Sequence, residues 1–249
     1  MFNNTSVEKI LAIETSVAEA SIALWCGGKM LFCESFQSDR NHNSMLFEPL
    51  ANALELLEGE VLSMVLVGTG PGSYSGTRVG IAAAQGVALA HGCAAVGLGS
   101  MAATPIARAS IARETREEKP SLALGDARRG LYFISQIADN GEAMKPELMD
   151  AEALGKYLSE HAERALFTLD DPVALTAGLE MGQDKGGGLN LQQRLVHTRP
   201  EARLLLDVWM GLDADRQREL ARQPLSPTYL RAPFTSKPKV RHPLLRKEP

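Results

Sequence analysis

The hydrophobic positions of the first hundred residues alternate between short apolar runs and longer amphipathic segments. Apolar runs of strand length occur at residues 9–15, 20–25, 30–36, 62–67 and 93–98. Apolar residues at helical spacing occur at residues 44–58, 77–90 and 100–109. Continuous or alternating apolar runs are typical of strands, whereas a helix that covers a core repeats its apolar residues roughly every three or four positions. The order β-β-β-α-β-α-β-α therefore predicts an α/β lobe that opens with a three-stranded meander.

The second half of the chain opens with a shorter version of the same strand-turn-strand pattern. Further strands are predicted near residues 122–125, 131–137, 142–148, 164–169 and 189–197. Helices are predicted at 151–160 and 200–222. We therefore divide the chain into a first lobe (1–110), a second, smaller and divergent lobe (111–223) and a basic, Pro-rich tail (224–249).

A glycine-rich loop follows the fourth predicted strand and leads directly into the second predicted helix. Its residues 68–76 include Pro71 and four glycines, so the loop is stiff and can also approach another backbone closely. The glycine spacing excludes a G-x-G-x-x-G fingerprint, and Thr77 after Gly76 excludes the lysine of a G-x-x-x-x-G-K-[ST] loop. Tyr74 stands where a G-x-S-x-G elbow needs serine. Because N–H groups at a helix start can bind an anion, an anion seat and a plain turn both stay open.

Composition and charge restrict the classes of protein that need be considered. The chain has 249 residues with a net charge of −4, so the molecule as a whole is not a nucleic-acid clamp. Three cysteines without metal-ligand spacing predict free thiols in a reducing compartment. The first residues lack the features of a signal peptide, and no apolar run is long enough to cross a membrane. We therefore expect a cytoplasmic protein without membrane contact.

Several segments, in the same order along nearly the whole chain, resemble the TsaB (YeaZ) family. They are 10–16 (ILAIETS), 70–81 (GPGSYSGTRVGI), 86–90 (GVALA), 126–130 (DARRG) and 227–231 (PTYLR), with His42 ahead of a helix. The segment 70–81 is specific for this family, and the other segments support the resemblance. Residues 139–222 carry little motif information.

The resemblance implies a two-lobe α/β fold of the actin/hexokinase/Hsp70-like (ASKHA) class with βββαβα-type lobes. It implies a non-catalytic scaffold subunit of the complex that adds the threonylcarbamoyl group to N6 of the adenosine beside the tRNA anticodon. The implied partners are TsaD, in a heterodimer, and the ATPase TsaE in a larger assembly, with tRNA contacted indirectly. Alone, the protein would form a homodimer through helices of the first lobe. No cofactor of its own is implied, but a nucleotide (ADP or ATP) at the interface in the complex stays open.

The predicted partner surface lies on the first two helices. Its residues are Leu46, Leu50, Leu54, Arg78, Ile81, Ala82, Gln85 and Leu89. A TsaD-like metal site needs two histidines four residues apart on a helix, but His42 is followed by Leu46 at that spacing, so no metal site and no catalytic residue are predicted.

A second set of residues is interpreted as a vestigial nucleotide or phosphate site. It comprises Glu14, Thr15, Ser16, Gly70, Gly72, Ser73 and Asp126. Glu14 and Asp126 stand where a phosphotransferase of this class places its two acids, so a stand-alone ATPase or kinase is the alternative function. A metal-dependent glycoprotease is less favoured. An Asp-x-Arg pair such as Asp126 and Arg128 usually forms a local salt bridge that shapes a turn.

The basic tail could contact tRNA phosphates electrostatically.

Overall fold

The computed structural model describes residues 8–38, 42–111, 121–180 and 191–231. The first lobe has a five-stranded sheet in the order β3-β2-β1-β4-β5. Its strands are β1 (Lys9–Glu14), β2 (Glu19–Cys26), β3 (Lys29–Gln37), β4 (Met64–Gly68) and β5 (Ala94–Leu98). The strand β1 is the centre of the sheet, antiparallel to β2 and parallel to β4, and all six of its residues are buried. A continuous apolar run therefore forms the strand that is covered on both faces.

Two helices cover one face of this sheet. They are α1 (His42–Glu55), with Pro49 inside it, and α2 (Tyr74–His91). Their apolar residues, including Leu46, Leu50 and Ala84, form one core cluster with the strands. The predicted helix at 77–90 is confirmed, but α2 begins three residues earlier because the Ser73 hydroxyl accepts the Gly76 N–H and caps it there. The segment predicted as one helix over 100–109 is a 3₁₀ turn, Ser100–Ala103, followed by α3 (Pro105–Ile111).

The second lobe has its own five-stranded sheet, in the order β10-β9-β6-β7-β8. Its strands are β6 (Leu122–Asp126), β7 (Leu131–Gln136), β8 (Glu147–Asp150), β9 (Leu166–Thr168) and β10 (Leu195–His197). The helices beside it are α4 (Ala151–Glu160), α5 (Pro172–Glu180) and α6 (Leu191–Arg194). The helices α5 and α6 are absent from the predicted elements, and α6 takes up part of the segment predicted as a strand over 189–197. The strand predicted near 142–148 begins only at Glu147.

The last two helices of the described ranges follow the second lobe in sequence but pack on the first sheet. They are α7 (Ala202–Gly211) and α8 (Ala214–Arg222), where a single helix over 200–222 was expected. The break falls at Asp213, whose carboxylate accepts the Arg216 N–H and starts α8. Leu205 and Trp209 of α7 pack against the face of the first sheet that α1 and α2 leave open. The lobe boundaries at 110 and 223 stay predictions, but this packing places residues 202–222 on the sheet of the first lobe.

A separate cluster holds the two lobes together. Met101 of the 3₁₀ turn and Ala107 of α3 pack against Phe133 and Phe167 of the second sheet. The space between the lobes is therefore partly filled by apolar side chains, and a cavity lies beside them.

Candidate functional site

The glycine loop is filled by the turn that joins β1 to β2. The Ser73 N–H donates to the Ser16 carbonyl (2.6 Å), and the Thr15 hydroxyl donates to the Gly76 carbonyl (2.8 Å). A Cβ atom at Gly72 or Gly76 would overlap the carbonyl oxygen of Ser16 or Thr15, respectively. The glycines at these two positions are therefore required by close backbone packing, which is the plain-turn interpretation of the loop.

Three N–H groups at the loop already have partners in the chain itself. The Gly70 N–H donates to the Ser100 hydroxyl (3.0 Å), and the Gly76 N–H donates to the Ser73 hydroxyl (3.2 Å). The third is the Ser73 N–H bonded to Ser16. An anion bound by these three N–H groups would have to replace bonds that the fold now makes.

Glu14 lies beneath the loop and is completely buried. Its Oε1 accepts the Ser16 N–H at 2.7 Å, whereas Oε2 has no partner within hydrogen-bonding geometry among the described residues. Burial raises the pKa of Glu14 above its ordinary value of 4.5, and the nearby Ser16 and Ser100 groups offset this only in part. The Glu14 carboxylate therefore lies inside the fold, against Gly68 and Ser16.

The cavity between the lobes, which we call the interlobe cavity, has a volume of about 490 Å³. Of the residues predicted for a vestigial nucleotide site, Ser16, Gly72, Ser73 and Asp126 line it. Glu14, Thr15 and Gly70 do not. The Ser16 hydroxyl is buried and has no hydrogen-bond partner among the residues that the structure describes.

Asp126 is engaged in the turn between β6 and β7. Its two carboxylate oxygens accept the Arg128 N–H (2.6 Å) and the Arg128 Nη1 (3.0 Å). The predicted local Asp126–Arg128 salt bridge is thus confirmed. The Asp126 N–H donates to Asp170 Oδ2 (2.8 Å), a carboxylate at this cavity that the sequence analysis did not identify because it follows a short, weakly patterned strand.

A second cavity is an apolar groove on the outer surface between α1 and α2, which we call the α1/α2 groove. Its volume is about 540 Å³. In the described ranges its lining is apolar except for one arginine and comprises Leu46, Phe47, Leu50, Arg78, Val79, Ala82, Ala83, Gly86 and Val87. Phe47 is 60% exposed at the groove, which is unusual for so large an apolar side chain.

Four of the eight residues predicted for the partner surface line this groove. They are Leu46, Leu50, Arg78 and Ala82. Ile81 instead points into the core and Leu54 packs against it, while Gln85 and Leu89 are exposed farther along α2. Phe47 was missed because it lies off the leucine stripe of α1.

None of the helices in the described ranges has the length and apolar character needed to cross a membrane. Cys26, Cys33 and Cys93 are free thiols, as predicted.

The two lobes, each with a five-stranded mixed sheet and with a cavity between them, define a two-lobe α/β protein of the actin/hexokinase/Hsp70-like class. This is the predicted fold class. A family model described as "TsaD: tRNA N6-adenosine threonylcarbamoyltransferase" matches residues 36–166, just over half of the chain. Together with the relatives described next, this match shows that the chain belongs to the TsaB (YeaZ) family.

Two curated relatives are named "tRNA threonylcarbamoyladenosine biosynthesis protein TsaB". The one from Haemophilus influenzae is 31% identical over 133 residues, which are 51% of this chain and 53% of that protein. The one from Escherichia coli K12 is 30% identical over 96 residues, 37% of this chain and 41% of that protein. The chain thus matches about half the length of these relatives, or less.

Two solved structures from Pseudomonas aeruginosa support the fold. One is described as an uncharacterized protein with similarity to peptidase YEAZ (TM-score 0.60) and the other as YeaZ (TM-score 0.58). Each covers 90% of this chain and is covered completely, at 20% sequence identity. At that identity the similarity concerns the fold and not the activity.

Proposed function

We propose that this chain acts in the biosynthesis of threonylcarbamoyladenosine in tRNA, as a non-catalytic subunit that binds and stabilises TsaD. The names of the curated relatives and the TsaD-type family model support the process. The chemistry would then reside in TsaD, with TsaE joining the assembly and tRNA contacted through the complex.

The observation that carries this proposal is the α1/α2 groove. A groove of about 540 Å³ with an almost wholly apolar lining and an exposed phenylalanine is suited to burial against another protein. The floor, formed by Leu46 and Leu50, belongs to the core and is therefore rigid. In the absence of TsaD the same face would pair two copies of this chain.

The alternative, a stand-alone nucleotide-binding ATPase or kinase, has weaker support. The interlobe cavity is large enough for a ligand, and the unpartnered Ser16 hydroxyl lines it. However, Glu14 is buried away from the cavity and Asp126 is already paired with Arg128. The two acids that such an enzyme would need are thus not both available.

Co-purification with TsaD from the same organism tests the proposal. Phe47→Asp should reduce retention of TsaD at micromolar concentration more than tenfold, since it places a charge in an apolar interface. Val173→Asp is the matched control, because Val173 is 62% exposed on α5 of the second lobe. If Phe47→Asp retains TsaD as wild type does, or if both variants lose TsaD equally, the groove is not the binding surface.

Complementation tests the process independently. The wild-type chain should restore the tRNA modification in cells that lack their own TsaB, but only when TsaD is present. Restoration without TsaD would contradict a non-catalytic role.

A further inference from the structure

The C-terminal strap, which we define as residues 225–231, crosses the glycine loop and contacts both lobes. The Thr228 N–H donates to the Thr69 carbonyl (2.8 Å), and the two threonine hydroxyls lie 3.2 Å apart. Leu230 packs into the cluster between the lobes, and Arg231 Nη2 donates to the Arg128 carbonyl (2.6 Å). The strap is therefore anchored on either side of Tyr229.

Tyr229 holds the side chain of Arg78 on α2. The Arg78 Nε and Nη2 groups both donate to the Tyr229 hydroxyl, at 3.1 and 2.7 Å. The guanidinium also lies over the ring of Tyr74, 3.8 Å from its centroid. One hydroxyl and one aromatic face thus fix a side chain that would otherwise sample many rotamers.

Arg78 stands where two cavities meet. It lines the α1/α2 groove and also a cavity of about 450 Å³ beneath the strap, together with Tyr74 and Tyr229. It forms no ion pair with any residue in the part of the chain that the structure describes. Among the described residues that line the groove, Arg78 is therefore the one cation, and it is oriented by Tyr74 and Tyr229 without being neutralised by any described residue.

We propose that Tyr229 is a positioning residue for the partner surface, and that it presents Arg78 at the end of the α1/α2 groove to a carboxylate of the partner. This inference rests on the proposed function and adds a charged contact to an apolar surface. An arginine that is fixed before binding loses less rotamer entropy when it forms a charge-assisted bond. The strap, which is remote in sequence, thereby becomes part of the partner-binding machinery.

A double-mutant cycle with Tyr229→Phe and Arg78→Ala tests the coupling. Affinity for purified TsaD is measured by calorimetry on the full chain, and folding is checked by thermal unfolding. Tyr229→Phe retains the ring and the strap but removes the acceptor, so we expect affinity to fall about three- to tenfold with unchanged thermal stability. In the Arg78→Ala background, Tyr229→Phe should have no further effect.

The salt dependence of affinity separates a positioned charge from simple packing. Between about 50 mM and about 500 mM NaCl, the affinity of wild type should fall more steeply than that of Arg78→Ala. Equal slopes would overturn the inference. The inference would also be overturned if Tyr229→Phe lowered the affinity for TsaD equally with and without Arg78. Tyr229 would then act independently of Arg78.

The Phe47→Asp variant distinguishes failure of this inference from failure of the proposed function. If Phe47→Asp abolishes binding while Arg78→Ala and Tyr229→Phe leave it unchanged, the groove stands and the role of Tyr229 is rejected. If all three variants bind TsaD as wild type does, the groove is not the binding surface. If the wild-type chain itself does not bind TsaD, the proposed function fails.

Discussion

Two glycines of helix α2 should respond in opposite ways to the same substitution. Gly80 faces the β1–β2 turn, and an added Cβ would overlap the Thr15 hydroxyl oxygen. Gly86 lies about 1.7 turns farther along the same helix. An added Cβ there meets no atom within 4 Å. Both are interior helical positions, so the gain in helix propensity on changing glycine to alanine is common to them and only the tertiary contact differs.

The magnitudes follow from that difference. Gly86→Ala should raise the free energy of unfolding by about 0.5–1 kcal/mol, the usual gain for glycine to alanine inside a helix. Gly80→Ala has the same gain from helix propensity, but its methyl group overpacks the contact with Thr15. Because Thr15 is only 4% exposed, this overpacking should cost about 1–3 kcal/mol. It also breaks the Thr15–Gly76 hydrogen bond, worth about 1 kcal/mol. The net loss is about 1–3 kcal/mol, which places the two variants about 2–4 kcal/mol apart.

Urea unfolding followed by tryptophan fluorescence measures this difference. Trp25 lies on β2, and Trp209 lies on α7 against the same sheet, so both tryptophans of the chain report on the first lobe. Gly86→Ala is the control for helix propensity. If Gly80→Ala were as stable as Gly86→Ala, the tight packing of the β1–β2 turn on α2 would be refuted.

Two other predictions concern the acids of the predicted nucleotide site. Burial raises the pKa of Glu14, so ionisation is disfavoured in the folded state, and the free energy of unfolding should fall as the pH rises above 4.5. Glu14→Gln should therefore be more stable than wild type at about pH 7.5 and differ little at about pH 4, as measured by urea unfolding; a constant difference at both pH values would contradict this. The isolated chain should show no tight binding of Mg-ATP by calorimetry, because Glu14 is buried and Asp126 is paired with Arg128. A dissociation constant in the low micromolar range would instead favour the ATPase or kinase alternative.

The central part of the fold was predictable because its signals are local. The strand β1 is a continuous apolar run, and the glycine loop with its helix is a specific motif, so element order and fold class follow from the sequence. Boundaries were less exact, as at Ser73, where a capping hydroxyl decides the start of α2. The α1/α2 groove was predicted in part, since periodicity identifies the buried stripe but not the exposed Phe47 beside it.

Contacts between distant parts of the chain could not be predicted in this way. Helix α7 has the periodicity of a buried helix, but nothing in that periodicity tells which sheet it covers. The bond between Tyr229 and Arg78 joins residues 151 positions apart, and no local pattern records it. Glu14 was placed in a ligand site by its position at the end of β1, yet its side chain turns beneath the loop, because Gly68 leaves room for the carboxylate there.

The packing of the glycine loop also explains why the groove, and not the loop, is the better candidate for function. Bonds from Ser73 and Thr15 use loop groups internally and fix the start of α2 on the sheet. A helix fixed in this way presents Ala82, Ala83 and Gly86 to the groove, and these small side chains have almost no rotamer entropy to lose on binding. Rigid backbone and small side chains lower the cost of association, so a modest apolar area can yield a stable complex. The contacts between the β1–β2 turn and the loop thus use loop groups internally and at the same time prepare α2 to bind a partner.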